Sequence, residues 1–125
     1  MNFGYDIGGR LTSAQSYGVG SYANLPNVTL SFGFDTNGNR TQLSDPMGVT
    51  QYSFDQADRL SLISNPKGEN FSFSFDSGNR LSSLTRMGVV STFAFDDRNF
   101  VSSIVHSNGT GTVASFQYQM DAIGN

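Results

Sequence analysis

The sequence contains no cysteine and no tryptophan, one lysine and one histidine. The absence of cysteine excludes disulfides and thiolate metal sites. A formal net charge of −3 with only seven basic residues argues against a nucleic-acid partner, because phosphate contacts need a basic face. No stretch approaches the ~20 consecutive apolar residues of a membrane-spanning helix. The start of the chain also lacks the basic and apolar regions of a signal peptide.

Glycine and phenylalanine are abundant instead, with 14 and 11 copies in 125 residues. Much of the rest is serine, asparagine and threonine, and charged residues make up only 14%. Aromatic residues that alternate with small polar ones favour strands, and glycine and asparagine favour turns. The composition therefore predicts β-structure.

One short pattern recurs along the chain. Tyr52-Ser-Phe-Asp55 returns as Phe73-Ser-Phe-Asp76 and again as Phe93-Ala-Phe-Asp96. Gly48, Gly68 and Gly88 keep the same spacing of 20 residues. A fixed period in this range indicates a repeat architecture. Related segments open near residues 3, 32, 52, 73 and 93, and a further one opens near residue 118, so residues 1–125 are predicted to be one repeat region.

Each regular repeat reads as a β-hairpin. Asn70-Phe-Ser-Phe-Ser-Phe75 alternates aromatic and polar residues, as a strand with one buried face does. Ser77-Gly-Asn79 suits a three-residue loop, because these residues tolerate positive φ. Leu81 and Leu84 in the returning strand are three residues apart, which predicts a bulge or a curved strand there.

A second turn joins one repeat to the next. Asp45-Pro46-Met-Gly48 and Asn65-Pro66-Lys-Gly68 both carry the signature of a type I turn, and Gly88 occupies the same slot. Residues 17–27, rich in glycine, serine and asparagine, predict a longer loop. The predicted fold class is all-β, an antiparallel meander of β-hairpin repeats of about 20 residues with ten to twelve strands.

These residues resemble the YD repeats of the RHS family, whose pattern is an aromatic-Asp pair, a Gly/Asn turn and then Arg-Leu-Thr. The residues that carry the pattern are Tyr5, Asp6 and Arg10; Phe34, Asp35 and Arg40; Phe54, Asp55 and Arg59; Phe75, Asp76 and Arg80; and Phe95 and Asp96. Each Asp is expected to face an Arg across its loop, except Asp96, because Phe100-Val101 replaces Arg-Leu there.

The resemblance implies a segment of a spiralling β-sheet shell in a longer polypeptide. Its partners would be further YD repeats and an enclosed, toxin-like C-terminal domain, and its location would be secreted or at the cell envelope. The expected role is structural rather than enzymatic, without a cofactor. A cell-surface module that binds carbohydrate or protein through its aromatic rows is the alternative.

Sharper chemical interpretations of the same residues are weaker. Asp residues on successive hairpins would lie roughly 10 Å apart, too far to share a proton or an ion. Asp35-Thr-Asn-Gly-Asn39 begins like a calcium loop, but Arg40 and Pro46 stand where glycine and glutamate are needed, so only a looser calcium site at the turns stays open. His106 is expected in a solvated loop. No catalytic or metal residue is therefore predicted.

Overall fold

The computed structural model describes residues 1–18, 26–121 and 123 of the chain, and these contain eleven β-strands and no helix. The chain divides into two compact units, residues 1–68 and 69–125. The predicted loop at residues 17–27 lies largely outside the described residues. No helix that could span a membrane occurs within the described ranges.

Both units are antiparallel meanders, in which each strand pairs with the next along the chain. The first unit contains β1 (Asn2–Tyr5), β2 (Leu11–Ser16), β3 (Val28–Phe34), β4 (Arg40–Asp45), β5 (Gly48–Phe54) and β6 (Leu60–Ser64). The second contains β7 (Asn70–Phe75), β8 (Leu81–Arg86), β9 (Val89–Phe95), β10 (Val101–Asn108) and β11 (Gly111–Gln117). The predicted all-β meander is confirmed.

Within the described ranges, five hairpins each have a three-residue loop between their two strands, and we call these loops the Asp loops. They follow Asp6, Asp35, Asp55, Asp76 and Asp96. In each loop the third residue adopts positive φ, between 56° and 91°; these residues are Gly9, Gly38, Asp58, Asn79 and Asn99. A turn closed by a residue in this conformation is the usual three-residue hairpin connection.

Every Asp loop is followed by a β-bulge at the same place. In the fourth hairpin Ser74 pairs with Ser83 and Phe75 with Leu81, so that Ser82 has no counterpart on β7. The bulge predicted from the spacing of the leucines is therefore confirmed. The equivalent residues of the five hairpins all carry a hydroxyl group: Thr12, Thr41, Ser61, Ser82 and Ser102. The extra residue lets Leu81 and Leu84 lie on the same face.

The turns at the opposite ends of the strands, which we call the return turns, differ from one another. Pro46 and Met47 form a two-residue turn without positive φ, whereas Met87 and Gly88 both have positive φ, 49° and 80°. The second is a type I′ turn, the form that matches the twist of paired strands. Gly48 has φ of 134° and no room for a side chain, because a Cβ atom there would lie 2.7 Å from Pro66 Cβ.

The aromatic residues of the repeats share one side of the sheet within each unit, and we call this side the aromatic face. In β7, Phe71, Phe73 and Phe75 are half-buried while the polar residues between them are exposed. No residue in the described part of the chain is fully buried. The predicted buried face is therefore only half-buried, because each unit consists of a single layer of strands.

His106 lies in a strand rather than in the predicted loop. β10 continues to Asn108, and its turn consists only of Gly109 and Thr110. The His106 ring is half-buried and pairs across the sheet with Ser91. The run of serine, asparagine and glycine that suggested a loop begins inside the strand, which explains the error.

Candidate functional site

The row of Asp loops is the most regular group of polar side chains in the protein. In each loop Oδ1 of the Asp accepts a hydrogen bond from the backbone N–H four residues later. The donors are Arg10, Asn39, Arg59, Arg80 and Phe100, at 2.8 to 3.0 Å. Since a backbone amide supplies the bond, the same geometry forms with three different residue types at this position.

These bonds hold the loop carboxylates in their charged form. The pKa of Asp6, Asp55, Asp76 and Asp96 is lowered chiefly by the backbone N–H four residues on. For Asp35, desolvation is the largest influence and raises the pKa, but hydrogen bonds from Asn39, Asn37 and Gly38 outweigh it and lower the pKa overall. The carboxylates therefore act as acceptors that close the loops.

Three of the loops add an ion pair with an arginine four residues after the Asp. Arg10, Arg59 and Arg80 lie 2.6, 2.7 and 2.7 Å from the carboxylates of Asp6, Asp55 and Asp76. These side chains are partly exposed, so solvent screens the attraction between them. The backbone hydrogen bond lowers the pKa of each of these Asp residues more than the Coulombic attraction of the arginine does.

The other two loops depart from the pattern expected from the sequence. Asp35 bonds to Asn39, through both its backbone and its side chain, and the expected partner Arg40 instead stacks on the Phe32 ring, 4.8 Å from its centre. Arg40 is five residues from Asp35, one too many for the pairing position.

As expected, Phe100 and not an arginine stands across the loop from Asp96, but the expectation that the fifth hairpin lacks an Asp–Arg pair is wrong. Arg98, inside the loop, approaches the Asp96 carboxylate at 3.4 Å. The fifth hairpin therefore keeps an ion pair, but with an arginine inside the loop instead of the one that follows the loop in other repeats.

Side-chain contacts between neighbouring hairpins were not predicted from the sequence. In the first unit the Arg10 guanidinium stacks on the Phe34 ring at 4.9 Å and donates to the Asp35 carbonyl at 3.3 Å. In the second unit Arg80 repeats the arrangement, with its guanidinium 4.6 Å from the centre of the Phe95 ring and a 2.6 Å bond to Asn99 Oδ1. The arginine of one hairpin therefore contacts the aromatic residue that precedes the next Asp loop.

Other loops use different side chains for the same purpose. Asn37 and Asn39 each donate at 2.9 Å to Oδ1 of Asp58, in the next loop. Arg98 donates to the carbonyl oxygens of Met120 and Asp121 at 3.1 and 2.7 Å. The sequence shows only that polar residues recur in the Asp loops. It does not show which loops are hydrogen-bonded to each other, because that depends on which strands are neighbours. We call this set of bonds the loop ladder.

The aromatic face also carries cations. Arg86 stacks on Phe71 at 5.4 Å, and among the described residues no carboxylate pairs with it. Beside it, Leu84, Met87, Val89 and Ser91 line an open groove of about 450 Å³. The face therefore offers aromatic rings, aliphatic side chains and exposed guanidinium groups to a partner.

A catalytic arrangement does not emerge from the described residues. Ser91 Oγ lies 2.7 Å from Nδ1 of His106, and the His106 ring meets Phe116 edge-on at 6.0 Å. In that part of the chain no carboxylate contacts His106, so the third member of a serine–histidine–aspartate triad is missing. No group of three or more potential metal-ligating residues was found there either.

A meander of hairpins closed by equivalent loops defines a β-hairpin repeat protein. The family model for the RHS repeat matches residues 34–70, from the end of β3 to the start of β7. This segment is similar to the RHS repeat, and the resemblance found in the sequence is confirmed. No curated protein sequence matches the chain.

Solved structures with the same fold include Tc toxin proteins. The chain is similar to part of a crystal structure of TcdB2-TccC3-Cdc42, with a TM-score of 0.75 and 14% identity over 97% of this chain. A Photorhabdus luminescens Tc holotoxin pore gives a TM-score of 0.73 and 14% identity over 96% of this chain. This chain spans about 7% of the length of either protein. The likeness therefore shows the fold of a small part of them.

Proposed function

We propose that this chain is a wall segment of an RHS-type β-shell and that its aromatic face contacts a polypeptide enclosed by that shell. The carrying observation is the loop ladder, in which the side chains of one hairpin contact the next hairpin instead of forming a chemical centre. Such a ladder fixes the register of neighbouring strands, as a wall requires.

The aromatic face supports the second half of the proposal. The phenylalanines of β7 form a regular, half-buried row, and no residue in the described part of the chain is fully buried. Contiguous apolar surface that is left exposed marks sites that contact other polypeptides. The guanidinium groups of Arg40 and Arg86 lie over phenylalanine rings and have N–H donors for carboxylates or backbone carbonyls of a partner.

The related structures support a cargo at the C-terminus. One of the matched crystal structures is of TcdB2-TccC3 without its hypervariable C-terminal region, again at 14% identity and a TM-score of 0.74. By analogy, the enclosed partner would be a C-terminal domain of the longer polypeptide that carries this chain, and that polypeptide would be secreted or attached to the cell envelope.

Photo-crosslinking in the full-length polypeptide tests the proposal. A benzophenone amino acid replaces either Phe73, on the aromatic face, or its neighbour Ser74, on the opposite face. If the aromatic face contacts the enclosed polypeptide, position 73 will cross-link to the C-terminal region and position 74 will not. Equal cross-linking from both positions, or cross-linking from position 74 alone, would contradict it.

Glycan binding is the competing outcome. The isolated chain is applied to a glycan array together with the Phe73→Ala variant and with Ser74→Ala as the matched control. The shell proposal predicts no specific glycan. A glycan that binds the chain and Ser74→Ala but not Phe73→Ala would replace the shell proposal with a carbohydrate-binding module.

A further inference from the structure

The chain contains two Asn-Gly dipeptides, Asn37-Gly38 and Asn108-Gly109, in very different surroundings. Glycine offers the least steric resistance when its backbone nitrogen approaches the preceding side chain. An Asn-Gly pair can therefore cyclise to a succinimide when the asparagine amide carbon is accessible and activated. The two sites differ on both points.

At the β10–β11 turn the Asn108 side-chain carbonyl is activated. Its Oδ1 accepts two hydrogen bonds from Thr110, at 2.9 Å from the backbone nitrogen and at 2.6 Å from Oγ1. Two donors on one carbonyl oxygen withdraw electrons from the amide carbon and stabilise the negative charge that develops when a nucleophile adds. All three residues of the turn segment are exposed.

The nucleophile is also available at this turn. Within the described part of the chain no backbone hydrogen bond uses the Gly109 N–H. A Cβ atom built on Gly109 meets nothing within 4 Å, so the space around the residue is open. The backbone nitrogen of Gly109, the residue after Asn108, is therefore free to approach the electrophilic Cγ atom of the Asn108 side chain.

At Asn37-Gly38 both groups are engaged. The Asn37 amide nitrogen donates to Asp58 Oδ1 at 2.9 Å, and the Gly38 N–H donates to the Asp35 carbonyl at 3.2 Å. The first bond holds the leaving amide in the loop ladder, and the second directs the potential nucleophile into its own turn. The Asp58 carboxylate also places a negative charge beside the amide, which opposes the developing anion.

We propose that Asn108-Gly109 is a site of spontaneous deamidation and backbone isomerisation, promoted by Thr110, and that Asn37-Gly38 is protected by the loop ladder. The Gly109 nitrogen bonds to Cγ of Asn108 and loses its proton, and the side-chain amide leaves as ammonia. Water then opens the succinimide at either carbonyl. The net reaction consumes one water, releases one ammonia and leaves aspartate or isoaspartate at position 108.

The product alters the edge hairpin of the second unit. Asn108 pairs with Gly111 at the end of the β10–β11 ladder. Isoaspartate adds a methylene group to the backbone at this point and shifts the register of the pairing. Aspartate keeps the backbone but adds a negative charge to a chain whose formal net charge is already −3. The reaction therefore loosens β11 without any enzyme.

Peptide mass spectrometry of the folded chain during incubation at neutral pH tests the proposal. The expected result is deamidation at Asn108 about tenfold faster than at Asn37. Equal rates, or faster reaction at Asn37, would overturn it. Because both sites lie in one molecule, temperature and buffer act on them alike, and the protein serves as its own control.

Three variants separate the causes. Gly109→Ala fits the open space and is expected to suppress reaction at Asn108. Thr110→Val keeps the backbone donor but removes the hydroxyl and is expected to slow the reaction about threefold. Asp58→Gly removes the acceptor of Asn37 at a position with positive φ and is expected to speed reaction at Asn37.

Two other outcomes in these variants would contradict the mechanism. An unchanged rate in Thr110→Val would remove the activating role of the hydroxyl, and an unchanged Asn37 rate in Asp58→Gly would remove the protective role of the ladder. The unfolded chain, measured in denaturant, supplies the reference rates of both sites without structure. In that state the difference between the sites is expected to disappear.

Discussion

The two ends of the hairpins follow different rules. The Asp loops have one length, one pattern of backbone conformation and one hydrogen bond from Asp to the residue four positions later, although their central residues range from Ile-Gly-Gly to Gln-Ala-Asp. The return turns include one without positive φ at Pro46-Met47 and a type I′ turn at Met87-Gly88. Register is therefore controlled at the Asp-loop end, and the return turns have only to reverse the chain.

Acid should have the largest effect on stability, because it protonates all five carboxylates of the Asp loops. A carboxyl whose pKa is lowered in the folded state stabilises that state above its unfolded pKa, and this contribution is lost as pH falls through the folded pKa. The fold lowers the pKa of each of the five below its ordinary value. We expect constant thermal stability above about pH 5 and a steep fall below pH 3.8, measured by circular dichroism.

The control for the acid experiment changes one loop. Replacing Asp76 by Asn removes one titrating group but keeps a side-chain oxygen. The pH dependence of this variant should be shallower than that of the parent chain. An identical acid transition would show that carboxylates outside the Asp loops cause the loss of stability.

Asp76 itself supplies the next largest effect. Its Oδ1 accepts hydrogen bonds from the backbone of Gly78 and Arg80, at 2.8 and 2.9 Å. Asp76→Ala leaves both donors to water and should lower Tm by roughly 5 °C, as the loss of a helix cap does. Asp76→Asn should recover most of this loss at neutral pH, because an amide oxygen also accepts these bonds. If Asn is as damaging as Ala, the ion pair to Arg80 matters more than the backbone bonds.

The return turns should tolerate or even gain from substitution, and here the expected effect is smallest. Met87 adopts φ of 49° in a type I′ turn and is largely exposed. Asparagine is favoured in that conformation, so Met87→Asn should raise the free energy of unfolding by about 0.5–1 kcal/mol. Urea denaturation measures it, with Met47→Asn, in a turn without positive φ, as the matched control that should gain nothing.

The sequence predicted most of the fold because its signals are local. Aromatic alternation located β7, the Gly/Asn loops located the hairpin connections, and the leucine spacing located the bulge at Ser82. His106 was misplaced because serine and asparagine are common in both strands and turns, and the chain offered no change of composition at the end of β10.

The candidate site was harder to predict, because its partners lie on different hairpins. Asp-to-Arg spacing within one hairpin can be read from the sequence, and three ion pairs follow it. The stacking of Arg10 on Phe34 requires knowledge of which strands are neighbours and how far a guanidinium reaches. Arg40 shows the limit: Asn39 occupies the pairing position, so Arg40 lies one position further on and stacks on an aromatic ring instead.

The backbone origin of the Asp-loop bonds has a consequence for evolution. A hydrogen bond donated by a main-chain N–H survives almost any substitution of the donating residue, as Arg80, Asn39 and Phe100 demonstrate. Mutations can therefore accumulate in the loops while strand pairing stays unchanged. Repeats with identities as low as 14% can therefore share one fold, as this chain and the Tc toxin structures do.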